Sequence, residues 1–521
     1  MTSRESFGSR GKSNNFNSCS TRSYSPVRRP ISASAVWRSS GSLSNSFAPA
    51  ISSRSLFALR YSRTTGSSSA LLRPRFFKRL TSDATFGSCN SCWTCSYCSS
   101  MSRNFSHIRA KRVYLRLAFR PKEGERPREP RSGMVYNELV QGANDQLMPH
   151  LNGAAASPVA VYVHIPFCPA KCGYCDFNSY AMSGEIVRRT MDAIVSEVKR
   201  SPHAGRPAST IFFGGGTPTF VPTEALLELL EAVTSCHPPI YECEITSEAN
   251  PGTADAEKLQ AMRCAGFNRV SIGAQSFDEA ELSALDRVHS PEDVHRAVAL
   301  AREAGFENLN LDLMFALPNQ TIERWKRNLE TALALAPEHL SLYCLTIEPN
   351  TRFYRLHRKG VLPLPTDEAQ RRMYELALDM AEDAGYHAYE ISNFALPGFE
   401  CRHNIAYWRG EEYVAYGPGA VERVGTVRWT HIKHPERYCR AVEQSLPLAC
   451  ESEQIDEETL RFERIMLQLR TAEGLPLMPN DQLLARAKPL IERGWLQVEE
   501  GAVRLTREGR HWCNRVVIEL A

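Results

Sequence analysis

The sequence predicts an α/β protein: a full or partial (β/α) barrel followed by a smaller α+β unit of winged-helix-like form. Three observations lead there. Short β-rich runs alternate with helical stretches from Ser157 onward. Six or more such units follow one another, which favours parallel strands joined by right-handed crossovers. Polar and metal-binding residues recur where the strands end, the rim on which barrels carry their chemistry. An open doubly wound sheet is the fallback.

The expected strands are VAVYVHI (159–165), STIFFGG (209–215), CEITSEA (243–249), RVSIGAQ (269–275), NLNLDLMFAL (308–317) and LSLYCLTIE (340–348). Helical patterns lie near 183–200, 223–235, 253–265, 278–304 and 321–335. A further helix near 366–384 precedes one more strand, YHAYEISNFA (386–395). The first strand runs into a loop with Cys168, Cys172 and Cys175, spaced C-x3-C-x2-C. The second ends in GGGTP, Gly214 to Pro218, the third at Glu248, the fourth at Gln275 and the sixth at Glu348. On the fifth, Asn308, Asn310 and Asp312 share one face by strand parity. A carboxylate facing into a barrel needs partners, either a ligand's polar groups or Arg269 or Arg287. Six such features on one rim point to a polar ligand above the cysteines.

Thiolates select soft metals, zinc or iron–sulfur clusters. A closed zinc site wants four ligands, and this loop holds three. On a 4Fe–4S cluster, three thiolates leave one iron open to an outside ligand. The loop followed by the glycine-rich strand end resembles the radical S-adenosylmethionine superfamily. In that superfamily the open iron is chelated by the amino and carboxylate groups of S-adenosylmethionine, and an electron from the cluster cleaves the cofactor to a 5′-deoxyadenosyl radical.

The segments YVHIPFCPAKCGYCDFNSY, FFGGGTPTF, SEANPGT, RVSIGAQSF, NLDLMFALPNQT and LSLYCLTIEPNT are similar to the oxygen-independent coproporphyrinogen oxidase group, and within it to the HemW-type haem chaperones. The resemblance covers about 158–521. It implies a partial-barrel radical SAM core and cofactor contacts at Tyr162, Tyr174, Gly215, Gly216, Thr217, Glu248, Gln275, Arg287 and Asp312. Glu248 and Asp312 suit ribose and amino groups, and Arg287 suits the cofactor carboxylate, because a guanidinium grips a carboxylate with two hydrogen bonds.

The dehydrogenases of that group continue their loop as C-x3-C-x2-C-x-C. Phe177 stands here instead of the last cysteine, which casts doubt on coproporphyrinogen decarboxylation and matches the chaperone branch. HNIAYW, with His403, Asn404, Tyr407 and Trp408, looks like the H-N-x-x-Y-W motif of that branch. His403 is a candidate haem ligand and the aromatics candidates for stacking on a porphyrin; the plainer reading is a polar hinge with Trp408 as packing. The resemblance thus implies haem, acceptor proteins to receive it and an electron donor to the cluster. Oxidative decarboxylation of coproporphyrinogen III is the rival activity.

The remaining text divides into 1–133, a 134–157 linker, the 158–395 core, a 396–449 connecting region and a 450–521 C-terminal domain. Residues 1–120 hold 20 Lys/Arg against two acids, whereas the rest holds 42 basic and 56 acidic residues. The working part is thus mildly acidic, which gives no support to nucleic-acid binding. The Ser/Arg-rich start has no apolar period and is expected to be disordered. It is either an organelle transit sequence, implying a mitochondrial location, or an extension upstream of a true start near Met134 or Met148, leaving a cytoplasmic protein. Its patch Cys89, Cys92, Cys95 and Cys98 has metal-site spacing, but no second shell to hold a metal is visible around it. No apolar run approaches the roughly 20 residues of a membrane span. From 450 on, an amphipathic helix is followed by a helix, hairpin and helix, suited here to packing or docking.

Overall fold

The computed structural model describes residues 157–478 and 482–521. The expectations for 1–133, for the linker as far as residue 156 and for the Cys89–Cys98 patch lie outside them.

All six expected barrel strands form: β1 (Val159–Ile165), β2 (Ala208–Gly215), β3 (Pro239–Ala249), β4 (Arg269–Gln275), β5 (Leu309–Phe315) and β6 (His339–Cys344). Each lies parallel to the next in chain order. The crossovers carry α1 (Glu185–Lys199), α2 (Thr223–Cys236), α3 (Ala256–Ala265), α4 (Glu279–Ala284), α5 (Pro291–Glu303) and α6 (Ile322–Ala334). Strand β1 is apolar and mostly buried on both faces, as a strand covered by helices must be. In α1, Val187, Met191, Ile194, Val195 and Val198 are buried at helical spacing and form the stripe that packs on the sheet. Side-chain caps set the helix starts: Asp255 accepts from Lys258 N, Asp278 from Ala280 N and Glu281 N, and Thr321 from Arg324 N.

The barrel is partial. The twelve-stranded sheet runs β12-β11-β10-β9-β1-β2-β3-β4-β5-β6-β8-β7, where the added strands are β7 (His387–Ala388), β8 (Asn393–Ala395), β9 (Tyr413–Tyr416), β10 (Val421–Val424), β11 (Val427–His431) and β12 (Ala449–Gln454). Among the described residues no pairing closes its two ends. Strand β9 lies parallel to β1 on the side away from β2, and β10 to β12 continue antiparallel. The segment 396–449 therefore supplies strands to the main sheet, and so do residues 450–454 of β12, which the expected boundary at 450 assigns to the C-terminal domain.

Three local expectations change. The helix expected over 278–304 is two helices. Asp286 turns left-handed at φ 57°, and Ser290 with Asp293 forms a capping box that restarts the chain at Pro291. The strand expected over 386–395 is a short antiparallel pair, β7 and β8, with β8 also antiparallel to β6. The buried Glu390 carboxylate accepts from Ser392 N and from the Asn393 side chain, and this curls the segment between them. Strand β6 stops at Cys344 rather than 348.

Two helices, α7 (Arg352–Arg358) and α8 (Asp367–Asp383), follow β6, and α9 (Arg402–Arg409) and α10 (Pro435–Glu443) flank β9 to β11. The C-terminal unit comprises α11 (Glu457–Gln468), β13 (Leu475–Pro476), α12 (Leu483–Glu492), β14 (Leu496–Glu499), β15 (Ala502–Leu505), α13 (Arg507–His511) and α14 (Cys513–Leu520). Its small sheet is ordered β13-β15-β14, so the expected helix–hairpin–helix is present. Its core, with Ile465, Leu469, Leu490, Val503 and Val516, is continuous with Ala160, Tyr407, Trp408 and Tyr413 of the barrel edge. Arg428 on β11 grips both carboxylate oxygens of Glu463 on α11 at 2.9 and 2.8 Å in a buried pair that joins the two units.

Candidate functional site

The three cysteines lie just beyond the C-terminal end of β1. Cys168 N donates to Tyr180 O and Tyr180 N to Pro166 O, so the loop leaves β1 and returns beside it. Gly173 N donates to Leu285 O, and Phe353 N donates to Gly173 O. The loop is thus tied to the break between α4 and α5 and to the start of α7. Lys171 Nζ closes it from outside, donating to Phe177 O at 2.7 Å and Ser179 Oγ at 2.8 Å. Burial pushes the Cys168 thiol up and the Cys175 thiol up to about 11. For these two thiols desolvation outweighs the attraction of nearby Lys171 and favours the protonated form; a bound metal centre would supply the charge that reverses this.

Strand β2 meets the loop through its glycines. Gly216 N donates to Ile165 O at 2.8 Å, and Thr217 N to Phe167 O at 2.7 Å. A Cβ on Gly216 would lie 2.5 Å from Phe167 O and 2.7 Å from Phe167 N. Gly215 has φ 106° and lies against the His164 ring, so a side chain is excluded there too. Gly215 N donates to Glu248 Oε2 at 3.1 Å, and Thr217 Oγ1 lies 3.5 Å from Cys168 Sγ.

The opposite wall is polar. Asp312 accepts from Ser271 Oγ at 3.1 Å and Asn310 Nδ2 at 2.8 Å, and burial raises its pKa. Gln275, at the end of β4, is left-handed at φ 64° beside a register shift against β5. Such bulges and strained positions re-aim side chains at sites. Arg287, in the break between α4 and α5, donates to Gly273 O at 2.5 Å and reaches Cys172 Sγ at 3.6 Å, while its buried Nε has no hydrogen-bond partner.

These residues line one cavity with two lobes. The outer lobe is walled by Cys168, Cys172 and Cys175 together with Tyr174, Gly215, Gly216, Thr217, Glu248, Gln275, Arg287 and Asp312. The inner lobe shares Tyr174, Cys175, Phe177, Glu248, Ser271, Gln275 and Asp312 with it and runs along the lumen to Arg269, Asn310, Ser341, Tyr343, Thr346, Glu348 and Asn404. Eight of the nine cofactor candidates thus share the outer lobe with the cysteines. Tyr162 does not: its hydroxyl pairs with His164 Nδ1 at 3.0 Å and its ring packs near Phe212 and His403.

His403 lines neither lobe. It is 2% exposed, stacked on Phe212 with ring centroids 5.0 Å apart and edge-on to Tyr407 at 4.8 Å. Its Nδ1 lies 2.8 Å from Thr210 Oγ1, its Nε2 has no partner, and burial lowers its pKa to about 3. Tyr407 and Trp408 are buried in the core shared with the C-terminal unit, so they offer no open face to a porphyrin and serve as packing. Asn404 alone of the motif reaches the lumen.

Ser271, Ser341, Tyr343 and Thr346 were not singled out by the sequence reasoning. The signal for three of them was present: the parity that aligns Asn310 with Asp312 also puts Arg269, Ser271, Gly273 and Gln275 on one face of β4, and Ser341 with Tyr343 on one face of β6.

Among the described residues no three His, Cys, Asp or Glu side chains converge on a single metal ion. The three thiols around an open lobe instead suit a larger body carrying its own bridging sulfides. The Gly215–Gly216 cradle and the orphaned Arg287 Nε suit a polar ligand with a carboxylate beside it.

A barrel-edge cysteine triplet over a glycine-rich strand end is the signature of the radical SAM class, and the profile of the Radical SAM superfamily matches residues 162–332. A second profile, the HemN C-terminal domain, matches 455–512. The chain is 38% identical to heme chaperone HemW of Bacillus subtilis over 370 residues, covering 68% of this chain and 97% of that protein. It is 36% identical to heme chaperone HemW of Escherichia coli, covering 69% and 97%. The chain belongs to the HemW family. Its fold also matches the solved coproporphyrinogen III oxidase HemN of Escherichia coli, with a TM-score of 0.62, 23% identity, and 71% of this chain and 91% of that chain covered.

Proposed function

We propose that this protein is a haem chaperone, binding haem and handing it to acceptor proteins. In this reading Cys168, Cys172 and Cys175 hold one 4Fe–4S cluster and S-adenosylmethionine completes its coordination. The observation that carries the cofactor half is the outer lobe, where the three thiols, the Gly215–Gly216 cradle and Arg287 meet. The haem half is supported by family membership and by the haem chaperones that the chain matches over nearly their whole length.

A bound cluster would supply single electrons to the cofactor's sulfonium. The chain's own residues would do the rest. Gly215 and Gly216 would let backbone groups approach the cofactor closely. Arg287 would take its carboxylate, while Glu248, Gln275 and Asp312 would accept from its hydroxyl and amino groups. Thr217 and Tyr174 would flank the cluster side, and Phe177, on the wall of both lobes, would keep water from the junction. An electron donor would serve the cluster. The reading takes the cytoplasm as its compartment; among the described residues no helix is long and apolar enough to cross a membrane.

The test is anaerobic. The full chain with a reconstituted cluster would be given haem and then an excess of an apo haem protein. Transfer faster than from free haem supports the reading. A parallel incubation with reductant, S-adenosylmethionine and coproporphyrinogen III should give no protoporphyrinogen; its formation at catalytic turnover would replace chaperone by oxidative decarboxylase.

A further inference from the structure

Arg269 is the first residue of β4, only 2% exposed, and its side chain forms part of the inner-lobe wall. Its Nε has no hydrogen-bond partner, and among the described residues no carboxylate lies within 4.0 Å of the guanidinium. Its acidic neighbours Asp312 and Glu244 attract it from a distance but make their hydrogen bonds to other groups. Asp312 is held by Ser271 and Asn310. Glu244 accepts from Arg402 N at 3.0 Å and His403 N at 3.1 Å. A buried charge is ordinarily paired, and an arginine is charged at any pH a protein meets. Arg269 is therefore a cation that faces a cavity with no carboxylate in direct contact.

We infer that Arg269 receives a carboxylate arm of the ligand that enters the inner lobe, separately from the cofactor carboxylate assigned to Arg287. Three features support a carboxylate on a flat, unsaturated body. A guanidinium matches a carboxylate with two parallel hydrogen bonds. Neutral donors and acceptors, Asn310, Ser341 and Asn404, surround it in the same lobe. Phe212, Tyr174, Tyr343, Met314 and Phe177 give the lobe its flat apolar walls, and its carboxylates, Asp176, Glu248, Asp312 and Glu348, leave Arg269 as its one cationic group among the described residues. Arg287 lies against the cysteines in the outer lobe, whereas Arg269 begins β4, six residues and roughly 20 Å of strand before Gln275 at the rim. Two cations so placed suit two different anionic groups. The assignment rests on the haem reading, because the propionates of a tetrapyrrole are the carboxylates it names.

The experiment compares wild type, Arg269→Gln and Arg269→Lys, each with its cluster. Titration with haem, with haem dimethyl ester and with S-adenosylmethionine separates the two carboxylate sources. Wild type should prefer free-acid haem to the ester by about tenfold or more; Arg269→Gln should lose that preference, Arg269→Lys keep part of it, and S-adenosylmethionine binding stay within twofold in both. Without ligand, Arg269→Gln should melt no lower than wild type, since it removes a desolvated charge with no carboxylate in contact, whereas a structural cation would leave it less stable. Equal haem preference in wild type and Arg269→Gln, or loss of S-adenosylmethionine binding instead, would overturn this assignment and leave the chaperone reading standing. Binding of neither tetrapyrrole by wild type would overturn both.

Discussion

Replacing Gly216 by alanine tests whether the glycine-rich strand end holds the cysteine loop in place. The new methyl would stand 2.5 Å from Phe167 O, 2.7 Å from Phe167 N and 2.8 Å from Ile165 O. Comfortable carbon contacts need about 3.5 Å, so β2 and the start of the cysteine loop must separate by about 0.7–1 Å. Backbone atoms cannot swing aside as a long side chain can. Overpacking of this kind costs about 1–3 kcal/mol. The separation also stretches the bonds from Gly216 N to Ile165 O and from Thr217 N to Phe167 O, forfeiting about half of the roughly 1 kcal/mol that each is worth. A total of about 2–4 kcal/mol falls on the segment that carries Cys168. If half of it reaches the bound state, cofactor affinity drops roughly 5–30-fold. The assay is anaerobic calorimetry with S-adenosylmethionine on reconstituted protein, with iron content and urea melts alongside. Gly252→Ala is the control, because a Cβ there meets nothing nearer than 3.6 Å. Gly216→Ala protein with wild-type iron content, affinity and melt would refute the argument.

Cys168→Ser, Cys172→Ser and Cys175→Ser should each lose bound iron while melting close to the metal-free wild type, because none of the three thiols belongs to the hydrophobic core; a large loss of metal-free stability would show the loop to be structural. Arg428→Met should destabilise by about 3–5 kcal/mol in urea melts by leaving the buried Glu463 unpaired, and Arg428→Met with Glu463→Leu should recover most of it. His403 should contribute to the acid limb of stability. Its folded pKa is lowered to about 3, so the unfolded chain takes up the proton first, and stability present above about pH 6.5 is lost as the pH falls towards 3. At most about 5 kcal/mol is at stake, and His403→Gln should flatten the difference between melts at pH 7 and pH 5. An unchanged slope would mean that the ring is reached by water.

The order of strands and helices was legible because each is a local pattern of buried and exposed positions. The run VAVYVHI or the stripe in α1 depends on its own residues, and the cysteine loop and glycine strand end are contiguous text that marks the cofactor lobe directly. Periodicity says which face is buried but not against what, and there the reading stopped. Nothing local says that β9 pairs with β1, or that Glu390 curls a strand-like segment into a turn. His403, Tyr407 and Trp408 are open to both a porphyrin reading and a packing reading, because histidine and aromatics suit both ligands and cores; Phe212 and the C-terminal unit, distant in sequence, are what enclose them. Arg269, one strand earlier in the chain, is one of the partners that the sequence offers Asp312, beside Arg287 and a ligand's polar groups. Only the tertiary structure sets Ser271 and Asn310 on that carboxylate and leaves the guanidinium facing the lumen, because hydrogen-bond partnership is decided by distance in space.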